Sequence, residues 1–128
     1  MSGYVVTARY SQQGNWVNGH HTGIDLAVPV GTLVRSTSSG MVAMAGWDPS
    51  YGNYVMVRHS ANEFTLYAHL SQFVVKFGES VAFGQKLGLS GATGHVTGPH
   101  LHFEVRTKPK FGSDIDPVAY LSRHGVKL

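Results

Sequence analysis

The 128-residue sequence contains no cysteine. This excludes a disulfide framework and any zinc site built on thiolates, so a metal site would need histidine and carboxylate ligands. Charged residues make up only 13% of the chain, which is roughly half the usual share. The net charge is +3, but the basic residues are scattered and form no run. We therefore expect no nucleic-acid binding.

Long apolar runs and helix signals are also scarce. No apolar run approaches the ~20 residues that a membrane span needs, and no signal peptide precedes Tyr4. We therefore expect no membrane span, and we expect any export to depend on segments outside this chain. The best helix candidate is a short segment over residues 118–121, where Asp116 could cap and Pro117 could occupy the first helical position.

The chain is instead rich in patterns that favour β-strands. Residues 40–46 form an apolar run bounded by glycines, and the β-rich runs 54–59 and 64–69 are joined by a short segment that predicts a hairpin. Residues 100–105 alternate between apolar and polar side chains. These patterns predict one mainly antiparallel β domain that covers residues 1–128.

The eight histidines are several times more frequent than usual, and their spacing is informative. In a strand, His100 and His102 point to the same face with Cα atoms about 6.6 Å apart, while Leu101 faces the core. Such a pair suits a metal site in which both residues bind the metal, or one binds and the other serves a metal-bound water. Glu104 on the same face keeps open the alternative of a polar outward face. Four other histidines stand alone and are most simply surface or hydrogen-bonding residues: His20, His59, His95 and His124.

A second candidate pair is His21 and Asp25, in the sequence His-Thr-Gly-Ile-Asp. A straight strand would place their Cα atoms about 13 Å apart, too far to share one ion comfortably. Gly23 and the apolar residues that follow argue against a helix. If the two residues share a metal, the chain must bend, and Gly23 is the residue that permits a bend.

His69 ends the run 64–69. Strand alternation places Thr65, Tyr67 and His69 on one side, from which His69 could face the same cleft as His100. The spacing alone does not decide this.

Taken together and in order, the motifs of residues 9–121 resemble those of the lysostaphin/LytM-type zinc endopeptidases. The matching segments are His21-Thr22-Gly23-Ile24-Asp25 with residues 27–32, Gly52-Asn53-Tyr54-Val55, Tyr67-Ala68-His69-Leu70, Gly91-Ala92-Thr93-Gly94, residues 98–104 and Asp116-Pro117.

This resemblance implies an antiparallel β-sandwich with little helix and a cleft that holds one zinc ion (Zn2+). It implies that His21, Asp25 and His102 bind the zinc and leave the fourth position for water, with His69 and His100 beside the metal. The sequence does not distinguish the roles of these two histidines; His100 is assigned as the base and His69 as the stabilising group. The implied reaction is zinc-dependent hydrolysis of peptide bonds in peptidoglycan stem peptides or cross-bridges. The implied protein is a monomer, secreted, extracellular or associated with the cell wall.

The resemblance also points to a narrow substrate groove. Its walls are expected to include Trp47, Tyr51 and Thr93, although the two aromatic residues could equally be ordinary loop residues. Some members carry a tyrosine a few residues before the first metal histidine, and this sequence has none there. Trp16 could line the groove instead, or His20 could supply a hydrogen-bond donor.

Two other functions are compatible with parts of the sequence. A non-catalytic binding or amidase-activator module would share the fold, but such relatives have usually lost zinc ligands, whereas all the expected ligand positions are present here. A sugar-phosphotransferase phosphocarrier domain of the glucose type resembles the His-x-Gly-Ile-Asp segment. It does not account for the motifs around His69 and His100.

Overall fold

The computed structural model describes residues 5–8, 23–94, 98–108 and 114–115, the first of these ranges by its backbone alone. All regular structure in these residues is β-strand. The strands are β1 (Val5–Ala8), β2 (Ile24–Ala27), β3 (Leu33–Arg35), β4 (Gly40–Asp48), β5 (Gly52–Ser60), β6 (Glu63–Phe73), β7 (Ser80–Val81), β8 (Lys86–Ser90), β9 (Leu101–Arg106) and β10 (Asp114–Ile115). Within the same ranges no helix could cross a membrane. The helix predicted after Asp116-Pro117 lies outside the described residues.

Every strand pairing is antiparallel, as the alternation predicted. The main path through the sheet runs β1-β2-β9-β6-β5-β4-β7, while β10 pairs with β9 and β8 pairs with both β3 and β6. The hairpin predicted for runs 54–59 and 64–69 is confirmed as β5 and β6, with Ser60 opposite Glu63 at its turn. The glycine-bounded run 40–46 is confirmed as the first part of β4.

Apolar side chains form two clusters because alternate residues of the central strands point to opposite faces. The larger cluster includes Val55, Tyr67 and Phe103. The smaller cluster contains Met56, Phe64, Leu66 and Ala68, with Tyr51 and Tyr54 packed against it. Along β2, β6 and β9, side chains of the larger cluster alternate with other side chains. The side chains between them therefore point to the face that carries the smaller cluster.

Strand β9 follows the predicted alternation, but its polar face is not open to solvent. All six residues from Leu101 to Arg106 are buried, including His102, Glu104 and Arg106. An outward-facing polar strand, the alternative left open by the sequence, is therefore excluded for these three side chains. Buried charged groups require partners, and those partners lie in the candidate site.

The eleven-residue strand β6 has two different neighbours along one edge. Its first half pairs with β9, from Phe64 to Ala68, and its second half pairs with β8, from Leu70 to Phe73. His69 lies at the change of partner. A single bridge between Gly91 and His100 joins the end of β8 to the start of β9. The point where β8 and β9 diverge along β6, called the fork below, thus brings His69 and His100 close together.

Candidate metal centre and active site

Asp25 and His102 are brought together by the register of β2 and β9, in which they lie directly opposite each other. His102 is also opposite Ala68 of β6. The Nδ1 atom of His102 lies 2.8 Å from Oδ1 of Asp25. Zinc bonds of ~2.0–2.2 Å place ligand atoms roughly 3–4 Å apart, so a small outward movement of either side chain would accommodate the ion.

A second carboxylate holds the opposite side of the His102 ring. Nε2 of His102 donates a hydrogen bond of 2.8 Å to Oε2 of Glu104. Burial disfavours the charged ring, but the hydrogen bonds to Asp25 and Glu104 outweigh burial and raise the pKa of His102 to about 9. An environment that stabilises a proton on this ring is also one that attracts a metal cation in the proton's place.

The described residues contain only part of the predicted ligand set. No group of three or more His, Asp or Glu side chains suited to hold a metal occurs within residues 23–94, 98–108 and 114–115. Asp25 and His102 are adjacent, whereas the third predicted ligand, His21, lies outside the described residues. The chemistry of the pair fits zinc, because carboxylate oxygen and imidazole nitrogen are both ordinary zinc ligands.

His69 reaches this site through an irregularity that the alternation did not predict. From Val55 to Asn53, strand β5 advances two residues while β6 advances three, from Tyr67 to Leu70. The extra residue is a β-bulge, and His69 has a left-handed φ of 62°. The prediction that His69 shares a side with Thr65 and Tyr67 is therefore wrong. Tyr67 faces the larger cluster, whereas the His69 ring lies against His100 and His102.

The three imidazoles form a compact group. The ring centroid of His69 is 4.7 Å from that of His100 and 5.9 Å from that of His102. Nε2 of His100 lies 3.6 Å from Oδ1 of Asp25. The structure thus brings together four predicted site residues that are far apart in the sequence: Asp25, His69, His100 and His102.

Backbone carbonyls fix the tautomers of His69 and His100. Nδ1 of His69 is 2.7 Å from the Thr93 carbonyl oxygen, and Nδ1 of His100 is 3.0 Å from that of Gly98. A carbonyl oxygen can only accept, so Nδ1 must be the donor in both rings. In the neutral form each ring therefore has its lone pair on Nε2. Burial, followed by the proximity of His102, lowers the pKa of His69 to about 4, so His69 is neutral at physiological pH.

The predicted groove residues occupy different positions. Trp47 is exposed (61%) on β4 opposite Asn53. The backbone N–H of Asn53 donates to Oγ1 of Thr93, so the exposed indole lies at the same end of the sheet as Thr93. Thr93 itself anchors His69 through its carbonyl and donates from Oγ1 to the Leu70 carbonyl, at 2.7 Å. Trp16 lies outside the described residues.

Tyr51 packs against His102, one of the two proposed zinc ligands in the described residues. Its ring stacks on His102 with a centroid distance of 5.6 Å and an interplanar angle of 28°. Its hydroxyl donates to Glu104 at 2.5 Å and accepts from Nη2 of Arg106 at 3.1 Å. Sequence reasoning gave no site role to Glu104 or Arg106. The signal that could have found them is the alternation of His102, Glu104 and Arg106 along one face of β9.

Of the isolated histidines, only His59 lies in the described residues. Nδ1 of His59 is 2.8 Å from the Ser39 carbonyl and Nε2 is 2.7 Å from Oγ1 of Thr65. This is the structural, hydrogen-bonding role that its isolation in the sequence predicted.

Two glycines allow the chain to close around the site. A Cβ atom at Gly23 would stand 2.1 Å from the Phe103 carbonyl oxygen, so only glycine lets β2 begin beside β9. Gly23 is therefore required by the close approach of β2 to β9, whether or not the chain also bends there. Gly52 has a φ of +67°, and a Cβ atom there would lie 2.3 Å from Oγ1 of Thr93. The segment that anchors His69 thus packs directly on the Gly52 backbone.

We predict that Gly52→Ala destabilises the protein and reduces its activity. A left-handed alanine costs roughly 1–2 kcal/mol, and displacement of Thr93 adds to that cost. We expect a loss of about 2–4 kcal/mol in the free energy of unfolding, measured by denaturant titration.

Gly31→Ala is the matched control for this substitution. Gly31 has a φ of +90° but nothing within 4 Å of its added Cβ. This variant therefore carries the backbone strain without the clash, and we expect a loss of only about 1–2 kcal/mol. Equal losses in the two variants would contradict the proposed packing of Thr93 on Gly52.

The model of peptidase family M23 matches residues 19–117. The chain belongs to peptidase family M23. M23 is a family of zinc metallopeptidases, as the sequence motifs predicted. Its match covers the whole candidate site, from before His21 to after His102.

Two relatives with similar sequences have names that refer to peptidoglycan or to peptidase activity. The chain is 50% identical over 91 residues to the peptidoglycan DD-endopeptidase ShyA of Vibrio cholerae, which covers 70% of this chain and 21% of that protein. It is 46% identical over 99 residues to the DD-carboxypeptidase/endopeptidase Mpg of Neisseria meningitidis, covering 77% and 22% respectively. The chain thus spans only about a fifth of the length of these curated relatives.

Solved M23 structures share the fold. The catalytic domain of the antimicrobial peptidase lysostaphin from Staphylococcus simulans superposes with a TM-score of 0.88 and 33% identity, covering 93% of this chain and 92% of that one. A zinc-containing peptidase from Vibrio cholerae gives a TM-score of 0.79 and 38% identity, covering 91% of this chain and 36% of that one. The expected mainly antiparallel β fold of the lysostaphin type is confirmed.

Proposed function

We propose that this chain is the catalytic domain of a zinc-dependent endopeptidase that hydrolyses peptide bonds in peptidoglycan stem peptides or cross-bridges. The observation that carries the proposal is the meeting of Asp25 and His102, 2.8 Å apart, beside two further histidines with fixed tautomers. The names of the relatives ShyA and Mpg support the substrate class.

His21, Asp25 and His102 are the residues that would hold the zinc. The donor set, two imidazoles and a carboxylate, is typical of catalytic zinc sites that keep one position open. Zinc bound there supplies a Lewis acid that polarises the scissile carbonyl and acidifies water. The protein supplies the geometry, because Asp25 and His102 lie directly opposite each other on paired strands.

His69 and His100 would move the protons. Nε2 of His100 lies 3.6 Å from Oδ1 of Asp25, a residue assigned to the metal, so we assign His100 to accept a proton from the attacking water. His69 presents Nε2 in the same region. The proton that His100 takes from water would pass to Nε2 of His69, whose ring centroid lies 4.7 Å from that of His100. His69 would then donate this proton to the developing negative oxygen or to the leaving amine.

The substrate would lie across the fork between β8 and β9. Exposed Trp47 and partly buried Thr93 are proposed as groove residues, together with Trp16, while Tyr51 contacts substrate only at the exposed edge of its ring. We propose that the chain acts as a monomeric single domain over residues 1–128, within an exported or cell-wall-associated protein. The relatives' peptidoglycan substrates, which lie outside the cytoplasm, support this location.

Digestion of purified peptidoglycan tests the proposed function. Mass spectrometry of the fragments released by the zinc-loaded protein should show new amine termini and identify the bond that is cut. A digest by the His100→Ala variant is the control for a contaminating hydrolase. Intact peptides across several wall types, from protein shown to hold zinc, would contradict the proposal and favour the non-catalytic binding or activator module.

A further inference from the structure

A buried network of charged and polar groups lies directly behind His102. Oε1 of Glu104 accepts a 2.8 Å hydrogen bond from Nε of Arg106. Oε2 accepts from Nε2 of His102 and from the Tyr51 hydroxyl. Glu104 is fully buried and Arg106 is 3% exposed. Both carboxylate oxygens of Glu104 therefore have hydrogen-bond partners, and the Arg106 guanidinium forms an ion pair with it.

The surroundings of this network are apolar. In the register of β6 and β9, Glu104 lies opposite Leu66 and Arg106 lies opposite Phe64, and both partners belong to the smaller hydrophobic cluster. A buried ion pair in such surroundings has a large desolvation cost, so it adds little to stability compared with apolar residues of similar size. The position of the pair suggests a different role.

The ring of His102 has a carboxylate at each nitrogen. Because Glu104 accepts from Nε2, that nitrogen keeps its proton, and the lone pair needed for a metal must be at Nδ1, which faces Asp25 at 2.8 Å. The Tyr51 ring stacks on the imidazole and limits its rotation. Carboxylate partners of this kind orient metal-binding histidines and strengthen their donation to the metal.

We propose that Glu104, held in place by Arg106 and Tyr51, is a positioning residue that fixes the orientation and tautomer of His102 for zinc binding. This inference rests on the proposed function only in taking His102 as a zinc ligand. It assigns Tyr51, which comes from the turn between β4 and β5, to support of the metal centre as well as to the edge of the groove.

Glu104→Gln tests the proposal, with zinc affinity measured by competition against a chelator of known affinity. Loss of an outer-shell carboxylate typically costs about 10–100-fold in metal affinity, and we expect a loss in that range. We also expect the visible absorption spectrum of the cobalt-substituted variant to differ from that of the wild type, because the ligand geometry changes. A role in folding alone would leave this spectrum unchanged.

Tyr51→Phe is the milder second variant, since it keeps the stacked ring and removes only the hydroxyl. We expect zinc binding about 3–10-fold weaker, because a charge-assisted hydrogen bond to Glu104 is lost. Glu79→Gln is the matched control. Glu79 precedes β7, at the far end of the main path from β2, and its Oε1 accepts from the Lys76 amide. We expect wild-type zinc affinity in this variant.

Zinc affinity within twofold of the wild type in both Glu104→Gln and Tyr51→Phe would overturn the proposal, whatever their thermal stability. If Glu104→Gln does not fold, Tyr51→Phe alone decides. Zinc binding is measured without substrate, so wild-type protein that binds zinc but leaves peptidoglycan intact would refute the proposed function and leave this test in force.

Discussion

Replacing His102 with alanine should remove bound zinc and reduce peptide-bond hydrolysis by about 10³-fold or more, because the metal supplies several kcal/mol of transition-state stabilisation. His102 is 5% exposed and is fixed between Asp25 and Glu104, so the variant loses the buried nitrogen that we assign to the metal. Zinc content is measured by elemental analysis after gel filtration, and hydrolysis by the release of amine termini.

The His102→Ala variant also loses stability, because Glu104 keeps its buried charge with one donor fewer. We expect a cost of roughly 1–3 kcal/mol, which requires a check that the variant is folded. His59→Ala is the matched control, since it removes an imidazole with two hydrogen bonds outside the site. It should retain both zinc and hydrolysis. An unchanged zinc content in folded His102→Ala would contradict the ligand assignment.

The second large effect is expected for His69→Ala and His100→Ala. Each variant should retain zinc at the wild-type stoichiometry, because neither residue is assigned as a ligand. Each should lose about 10²–10⁴-fold in kcat, the usual contribution of a positioned general acid or base. Zinc content and the rate of amine release are measured on the same preparation.

These two variants also test the separation of metal binding from proton transfer. His69 adopts a left-handed φ, which alanine tolerates poorly, so His69→Asn is a useful companion because asparagine enters that conformation more readily. Loss of zinc from His69→Asn or His100→Ala would make that residue a ligand. Retained zinc with undiminished hydrolysis would contradict the assigned proton-transfer roles.

The fold follows from local patterns that are legible in the sequence. The hairpin of β5 and β6 and the strand β9 were predictable because apolar side chains alternate there and turn residues separate the runs. The order of the strands was not predictable from periodicity, since β2 and β6 both pair with β9 although they lie far from it in the chain.

The candidate site was predictable in its residues but not in its geometry. The alternation of Thr65, Tyr67 and His69 failed because a one-residue bulge turns His69 to the other side, and nothing in the composition of Leu66-Tyr67-Ala68-His69 indicates a bulge. Two long-range contacts fix this geometry. Thr93 packs on the backbone of Gly52, 41 positions away in the chain, and its carbonyl accepts from His69, 24 positions away. Such contacts leave no local pattern.

Buried partners of the site were missed for a related reason. Glu104 was considered in the sequence only as a sign that the polar face of β9 could be exposed. In the structure the same residue is fully buried and bound to His102, because Tyr51 and Arg106 complete its hydrogen bonds. Whether an alternating polar residue faces solvent or a buried partner depends on which loop covers the strand, and the strand's own sequence does not contain that information.

The zinc dependence of peptidoglycan hydrolysis is the most direct test of a metal-dependent peptidase. Protein stripped by a chelator and then dialysed is titrated with zinc while amine termini released from purified peptidoglycan are counted. We expect no release at the start, a rise in proportion to added zinc, and saturation at one ion per chain, with no rise in His102→Ala. Full hydrolysis by stripped protein, or a rise in His102→Ala equal to that of the wild type, would contradict a zinc peptidase built on His102.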